Sequence, residues 1–159
     1  MAGMFEHATD TFGGVDVLVH TAGIMPLAPI AQIDLETFDR IQRTNVRGTF
    51  VVDQLAARQI REGGAIVNYS TSITRLQTPA YGAYAASKGA VEALTLIELR
   101  GRDITVNAVA PGPTATPLFF EGKAQELIDH IASLNPMERR GTPEDIAEVT
   151  ASWRAPAGG

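Results

Sequence analysis

Residues 65–70 read AIVNYS, a short apolar run with a β-branched centre, and the segments on either side of it decide the fold. A helical pattern, AYAASKGAVEALTLIELR at 83–100, comes next, and a second apolar run, ITVNAVA at 104–110, follows it. Two strands separated by a long helix cannot form a hairpin, so they pair in parallel through a crossover. The same unit recurs toward the N-terminus. There VDVLVH at 15–20 is followed by the helical pattern LETFDRIQRTNVRGTFVVDQLAARQI at 35–60, with Asp34 placed as its cap. The order is βαβαβ. Right-handed crossovers set both helices on one face of a three-stranded parallel sheet, with functional loops at the carboxyl ends of the strands. Helical patterns near 123–134 and 143–153 complete the chain.

Composition limits what such a sheet can serve. The chain has 159 residues, 45% of them hydrophobic, enough for one domain (1–159) with a real core. It shows no internal repeat and no linker. Zero cysteines exclude a disulfide scaffold and a thiolate metal site, and the three histidines (His7, His20, His130) lack metal-ligand spacing. A net charge of -5 and the absence of a basic run oppose nucleic-acid binding. No apolar stretch reaches the roughly 18 residues of a membrane span. With acids in the first ten residues instead of a basic start, the expected location is cytoplasmic.

All three strands end in small or polar residues: HTAG at 20–23, STSIT at 70–74 and PGPTATP at 111–117. These loops converge on one crevice. Tyr84 and Lys88, four residues apart, share a helix face, close enough for an ammonium to act on a phenol. Tyr81 falls outside that pair because Pro79 and Gly82 set the helix start after it.

From RTNVRGTF through GRDITVNAVAPGPTATPLF to GTPEDIAEV, the chain resembles the short-chain dehydrogenase/reductases, in the branch of 3-oxoacyl-carrier-protein reductase-like and trihydroxynaphthalene-reductase-like enzymes. The resemblance implies a partial Rossmann-like, doubly wound parallel sheet holding three of the family's strands. It implies an NAD(P)-dependent oxidoreductase that reduces a carbonyl or oxidises an alcohol, with NADP or NAD as cofactor. Tyr84 becomes the proton donor or acceptor, and Lys88 the cation that lowers its pKa and bonds the nicotinamide ribose. Asn45 holds a water extending the proton relay; the residues alone also allow an asparagine bonded to its own helix. The hydroxyl facing the substrate oxygen is Thr71 or Ser72, with Ser70 adjoining. Ala22 and Gly23 allow close approach on the adenosine side. Pro111, Gly112, Thr114 and Thr116 form the turn toward the nicotinamide.

HTAG departs from the family's Asn-Asn-Ala-Gly, and His20 is read as a hydrogen-bonded core side chain. Phe119 and Phe120 suggest an apolar substrate lining. Against the family pattern, the Gly-rich turn and about three strands do not occur in these residues, no final strand follows ASWRAPAGG, and LTLIELRG is about three residues short. Three expectations follow: weak cofactor binding by this chain alone, two apolar sheet edges open to pairing, and homo-oligomers through the two long helices. The alternative is an inactive remnant serving as an interaction or small-molecule-binding module.

Overall fold

A computed structural model describes residues 2–76, 78–95 and 101–153. Helix α1 (Ala2–Phe12) leads into strand β1 (Val15–His20). The long helix that follows has three parts: α2 (Leu35–Ile41), one π-helical stretch (Gln42–Arg47) and α3 (Gly48–Gln59). Strand β2 (Ile60–Tyr69), a short 3-10 turn (Ser72–Arg75), helix α4 (Gly82–Leu94) and strand β3 (Thr105–Val109) come next, then α5 (Pro117–Phe120), α6 (Gln125–Ser133) and α7 (Pro143–Ser152). The sheet is parallel with order β1-β2-β3, as the βαβαβ reading requires.

Caps account for the helix limits. Asp34 accepts from the Thr37 amide at 2.6 Å and starts α2. Thr142 and Asp145 form a capping box at the start of α7, with Pro143 in the first turn. The helix reading continued to residue 60, whereas Ile60 is extended and opens β2, because β2 is longer than its apolar core and takes in the run 60–64. The Arg102 guanidinium donates to the carbonyls of Ala57 and Ile60, binding the end of α3 to the loop before β3.

Leu18 of β1 and Ile66 of β2 are register partners, and with Phe5, Val52, Ala56 and Ile60 they form the buried core between sheet and helices. Where β1 first meets β2 the register shifts, and a Cβ on Gly64 would lie 2.6 Å from the Asp16 carbonyl oxygen. Backbone cannot yield at that distance. Gly64→Ala is therefore expected to cost about 1–3 kcal/mol, read as a lower midpoint in urea unfolding.

β1 and β3 are the outer strands of the described sheet, and Val17 and Val19 of β1 are 39% and 43% exposed. The stretch compared with a shortened family helix (LTLIELRG) and the end of ASWRAPAGG fall largely outside the described residues. Among the described residues, no helix is long and apolar enough to cross a membrane, and no group of histidine, aspartate and glutamate is placed to hold a metal.

Candidate active site

Helix α4 starts at Gly82 with Tyr81 as its cap residue, so Tyr81 stands off the buried face while Ala83, Tyr84, Ser87, Lys88 and Val91 line it. Tyr84 is 7% and Lys88 6% exposed. The Lys88 ammonium donates to the Tyr69 carbonyl at 2.6 Å, at the carboxyl end of β2. Burial lowers the Lys88 pKa from 10.5 to about 8. Burial also pushes the Tyr84 phenol above its ordinary value; the Thr71 hydroxyl beside it pulls the other way, and Tyr81 adds a smaller upward push. Desolvation is the larger influence on the phenol, and one N–H of the Lys88 ammonium is drawn to the Tyr69 carbonyl.

The Lys88 shift predicts a stability profile. Its folded pKa lies below the unfolded value, so between about pH 8 and 10.5 the unfolded chain binds more protons and stability rises with pH. Wild type should gain about 3 kcal/mol over Lys88→Met across that window in chemical unfolding.

Of the three candidate hydroxyls, Thr71 is the one beside Tyr84. Ser70 donates to Glu92 at 2.6 Å and is committed there, with Thr74 and Arg75 on the same carboxylate. Ser72 opens the 3-10 turn, and its amide donates to the Pro111 carbonyl at 2.9 Å. That bond seats the turn at 111–117 against the hydroxyl loop.

Asn45 lies inside the π-helical stretch, a distortion that recurs at functional sites. Its side chain is fully buried and clamps the loop after β1. Oδ1 accepts from the Ile24 amide at 2.9 Å, while Nδ2 donates to the Ile24 carbonyl at 2.9 Å and to Ser87 Oγ at 3.0 Å. The expected water is thus not held by the amide N–H groups, both of which are used. Sequence reading missed Ile24, Ser87, Tyr69 and Glu92. Ser87, next to Lys88 in AASK, was the visible signal; a backbone clamp such as Ile24 leaves none.

Ala22 is exposed and Gly23 half-buried. A Cβ on Gly23 would come within 3.4 Å of both Lys88 Nζ and Asn45 Oδ1, so glycine keeps the space over the ammonium open. With one Lys88 N–H given to Tyr69, two remain beside that opening. A donor pair above a cradle lacking Cβ suits a hydroxyl-rich ribose; Gly23, expected on the adenosine side, lies instead against Lys88 and Asn45, where the residues fit the nicotinamide half of a dinucleotide.

In the third loop Thr114 donates to the Gly112 carbonyl at 3.0 Å, and Thr116 caps α5, its hydroxyl accepting from the Phe119 amide at 3.3 Å. Thr114 pairs with Gly141, tying this turn to the start of α7. Phe119 and Phe120 meet edge to face at 5.6 Å, with Lys123 over one ring and Arg140 over the other. His20 departs from its expected role: its Nε2 is buried without a hydrogen-bond partner, and burial, then Lys88, lowers its pKa.

Known proteins of one family resemble this chain along most of its length. The family model described as enoyl-(acyl carrier protein) reductase matches residues 1–153. A short-chain type dehydrogenase/reductase of Picea abies is 41% identical over 158 residues, covering 95% of this chain and 58% of that protein. An NADPH-dependent aldehyde reductase-like protein of Arabidopsis thaliana, chloroplastic, is 43% identical over 92% of this chain and 57% of its own length. A short-chain dehydrogenase/reductase of Serratia marcescens superposes with a TM-score of 0.88 at 34% identity, covering 98% of this chain and 64% of that one. The angucycline C-6 ketoreductase LanV with bound NADP gives 0.87 at 32% identity, covering 96% and 61%. The chain therefore spans about three fifths of the length of the curated relatives it matches, and it belongs to the short-chain dehydrogenase/reductase family.

Proposed function

We propose that the chain carries the proton-transfer site and nicotinamide-side contacts of an NADP(H)-dependent carbonyl reductase, able to run in reverse as an alcohol dehydrogenase. The observation that carries this reading is the Tyr84 phenol, buried on one helix face with Lys88 and flanked by the Thr71 hydroxyl. NADP rather than NAD is favoured by relatives whose names specify NADPH and by the NADP in the LanV structure.

The cofactor, when bound, supplies or accepts the hydride. This chain's residues do the rest. Tyr84 keeps its proton until a carbonyl oxygen gains charge, because its raised pKa holds it neutral. Thr71 shares that oxygen as a second donor, stabilising the charge as it develops. Lys88 would give N–H groups to the ribose, Gly23 would leave room for it, and the turn with Pro111, Gly112, Thr114 and Thr116 would hold the carboxamide. Phe119 and Phe120 line an apolar small-molecule substrate. Taken by itself, the 159-residue chain offers about half of a dinucleotide's contacts, which corresponds to roughly millimolar affinity or weaker.

The reading is tested by following NADPH oxidation with a panel of aldehydes and ketones. Thr71→Ala should lose about 10²–10³-fold in kcat if its hydroxyl stabilises the oxygen, while Ser72→Ala should stay close to wild type. Equal losses in both variants would reject the assignment of Thr71.

A further inference from the structure

Asp53 is 2% exposed, on the face of α3 that packs against the sheet, and Asn68 of β2 is 0% exposed beneath it. The two are joined by one hydrogen bond, from Asn68 Nδ2 to Asp53 Oδ2 at 2.9 Å. Each keeps a second oxygen, Asp53 Oδ1 and Asn68 Oδ1, that is buried with no partner. Turning the Asn68 amide over gives no relief, since it would set two acceptors against each other. A carboxylate in this place would be a buried charge with one neutral donor and no cation, an arrangement costing several kcal/mol. A single proton satisfies both idle oxygens.

We propose that Asp53 is a protonated acid paired with Asn68 as a closed two-bond ring, Asp53 Oδ1–H donating to Asn68 Oδ1 while Asn68 Nδ2 donates to Asp53 Oδ2, and that loss of this proton is a stability switch under the long helix. Burial raises the Asp53 carboxyl from 3.8 to about 6, against the smaller opposing effect of Asn68. No charged group shares in the shift. From α1 the residue turned inward is Phe5, with Glu6, His7 and Asp10 exposed. From β1 come Leu18 and His20, the latter in register with Asn68, its pKa lowered by burial and by Lys88. α4 turns Lys88 to Tyr69 and Glu92 to Ser70 and Thr74. On the long helix itself Arg43, Arg47 and Arg58 are exposed. A surface hollow lined by Phe50, Asp53, Gln54, Ala57 and Leu94 gives the proton a route to solvent.

The folded pKa is above the unfolded one, so the contribution is complete below about pH 4 and lost as pH rises through about 6. Two pKa units correspond to about a hundredfold in the folding constant. The switch lies eight residues from Asn45 along the same long helix, so its charged form loosens the support of the loop clamp.

The test compares unfolding of wild type and Asp53→Asn at about pH 4 and about pH 8. The ratio of their folding constants should change by about a hundredfold in favour of the variant at the higher pH. A ratio constant with pH overturns the proposal. Should the variant not fold, carbon-13 NMR of wild type labelled at the aspartate carboxyls decides. One resonance should titrate at about pH 6 or higher; all eight aspartates titrating below about pH 5 would refute the ring. Infrared spectroscopy at about pH 5 adds a protonated-carboxyl band, expected in wild type and lost in Asp53→Asn.

Discussion

Tyr84→Phe is expected to lower turnover by about 10²–10⁴-fold while leaving the fold intact. Phenylalanine keeps the ring in its buried place on α4 and removes only the hydroxyl with its Thr71 hydrogen bond, so unfolding free energy should stay within about 1.5 kcal/mol of wild type. The loss should fall on kcat, because Tyr84 acts on charge that develops during the reaction, and leave the cofactor's binding largely unchanged. Tyr81→Phe is the matched control: Tyr81 caps α4 from outside its buried face and should cost little. A Tyr84→Phe chain as fast as wild type would remove the proton donor from the account.

Asn45→Ala has the largest expected effect on stability. The side chain makes three hydrogen bonds, two to the Ile24 backbone and one to Ser87, and links the long helix, the loop after β1 and α4. Removing it leaves the Ile24 amide and carbonyl without protein partners and opens a gap at a fully buried position. The expected loss is roughly 2–4 kcal/mol, or about 5–15 °C in thermal midpoint. Because Ile24 adjoins Gly23, cofactor affinity should fall with it. Thermal unfolding by circular dichroism checks the first point; an unchanged midpoint would mean that the loop is held by other contacts.

The architecture was legible because its signals are local and periodic. VDVLVH, AIVNYS and ITVNAVA are runs whose length and β-branching point to short strands, and the helical patterns between them force parallel pairing, although β1 leaves Val17 and Val19 exposed. Tyr84 and Lys88 were visible for the same reason, since a four-residue spacing on a helix is a statement about one face. What stayed hidden depends on groups distant in sequence. The direction of the Tyr84 shift rests on how deeply it is buried and on where the Lys88 ammonium is drawn, and the Tyr69 carbonyl that draws it is a backbone atom. Separating Thr71 from Ser72 required the fold, which sets the Thr71 hydroxyl beside Tyr84 and starts the 3-10 turn at Ser72. The π-helical stretch at Asn45 has no signature in propensity, because helix-forming residues do not distinguish a hydrogen bond to i+4 from one to i+5.

One titration bears most directly on the claim that this crevice receives the nicotinamide side of NADPH. Adding the wild-type chain to NADPH should raise nicotinamide fluorescence along a saturable curve, weak in absolute terms. Lys88→Met should weaken the same curve at least about tenfold, and Tyr81→Phe should leave it in place. A curve indifferent to Lys88, or no saturable signal up to millimolar concentrations and beyond, would contradict the account, because the ammonium beside Gly23 is the contact on which the proposed cofactor site depends.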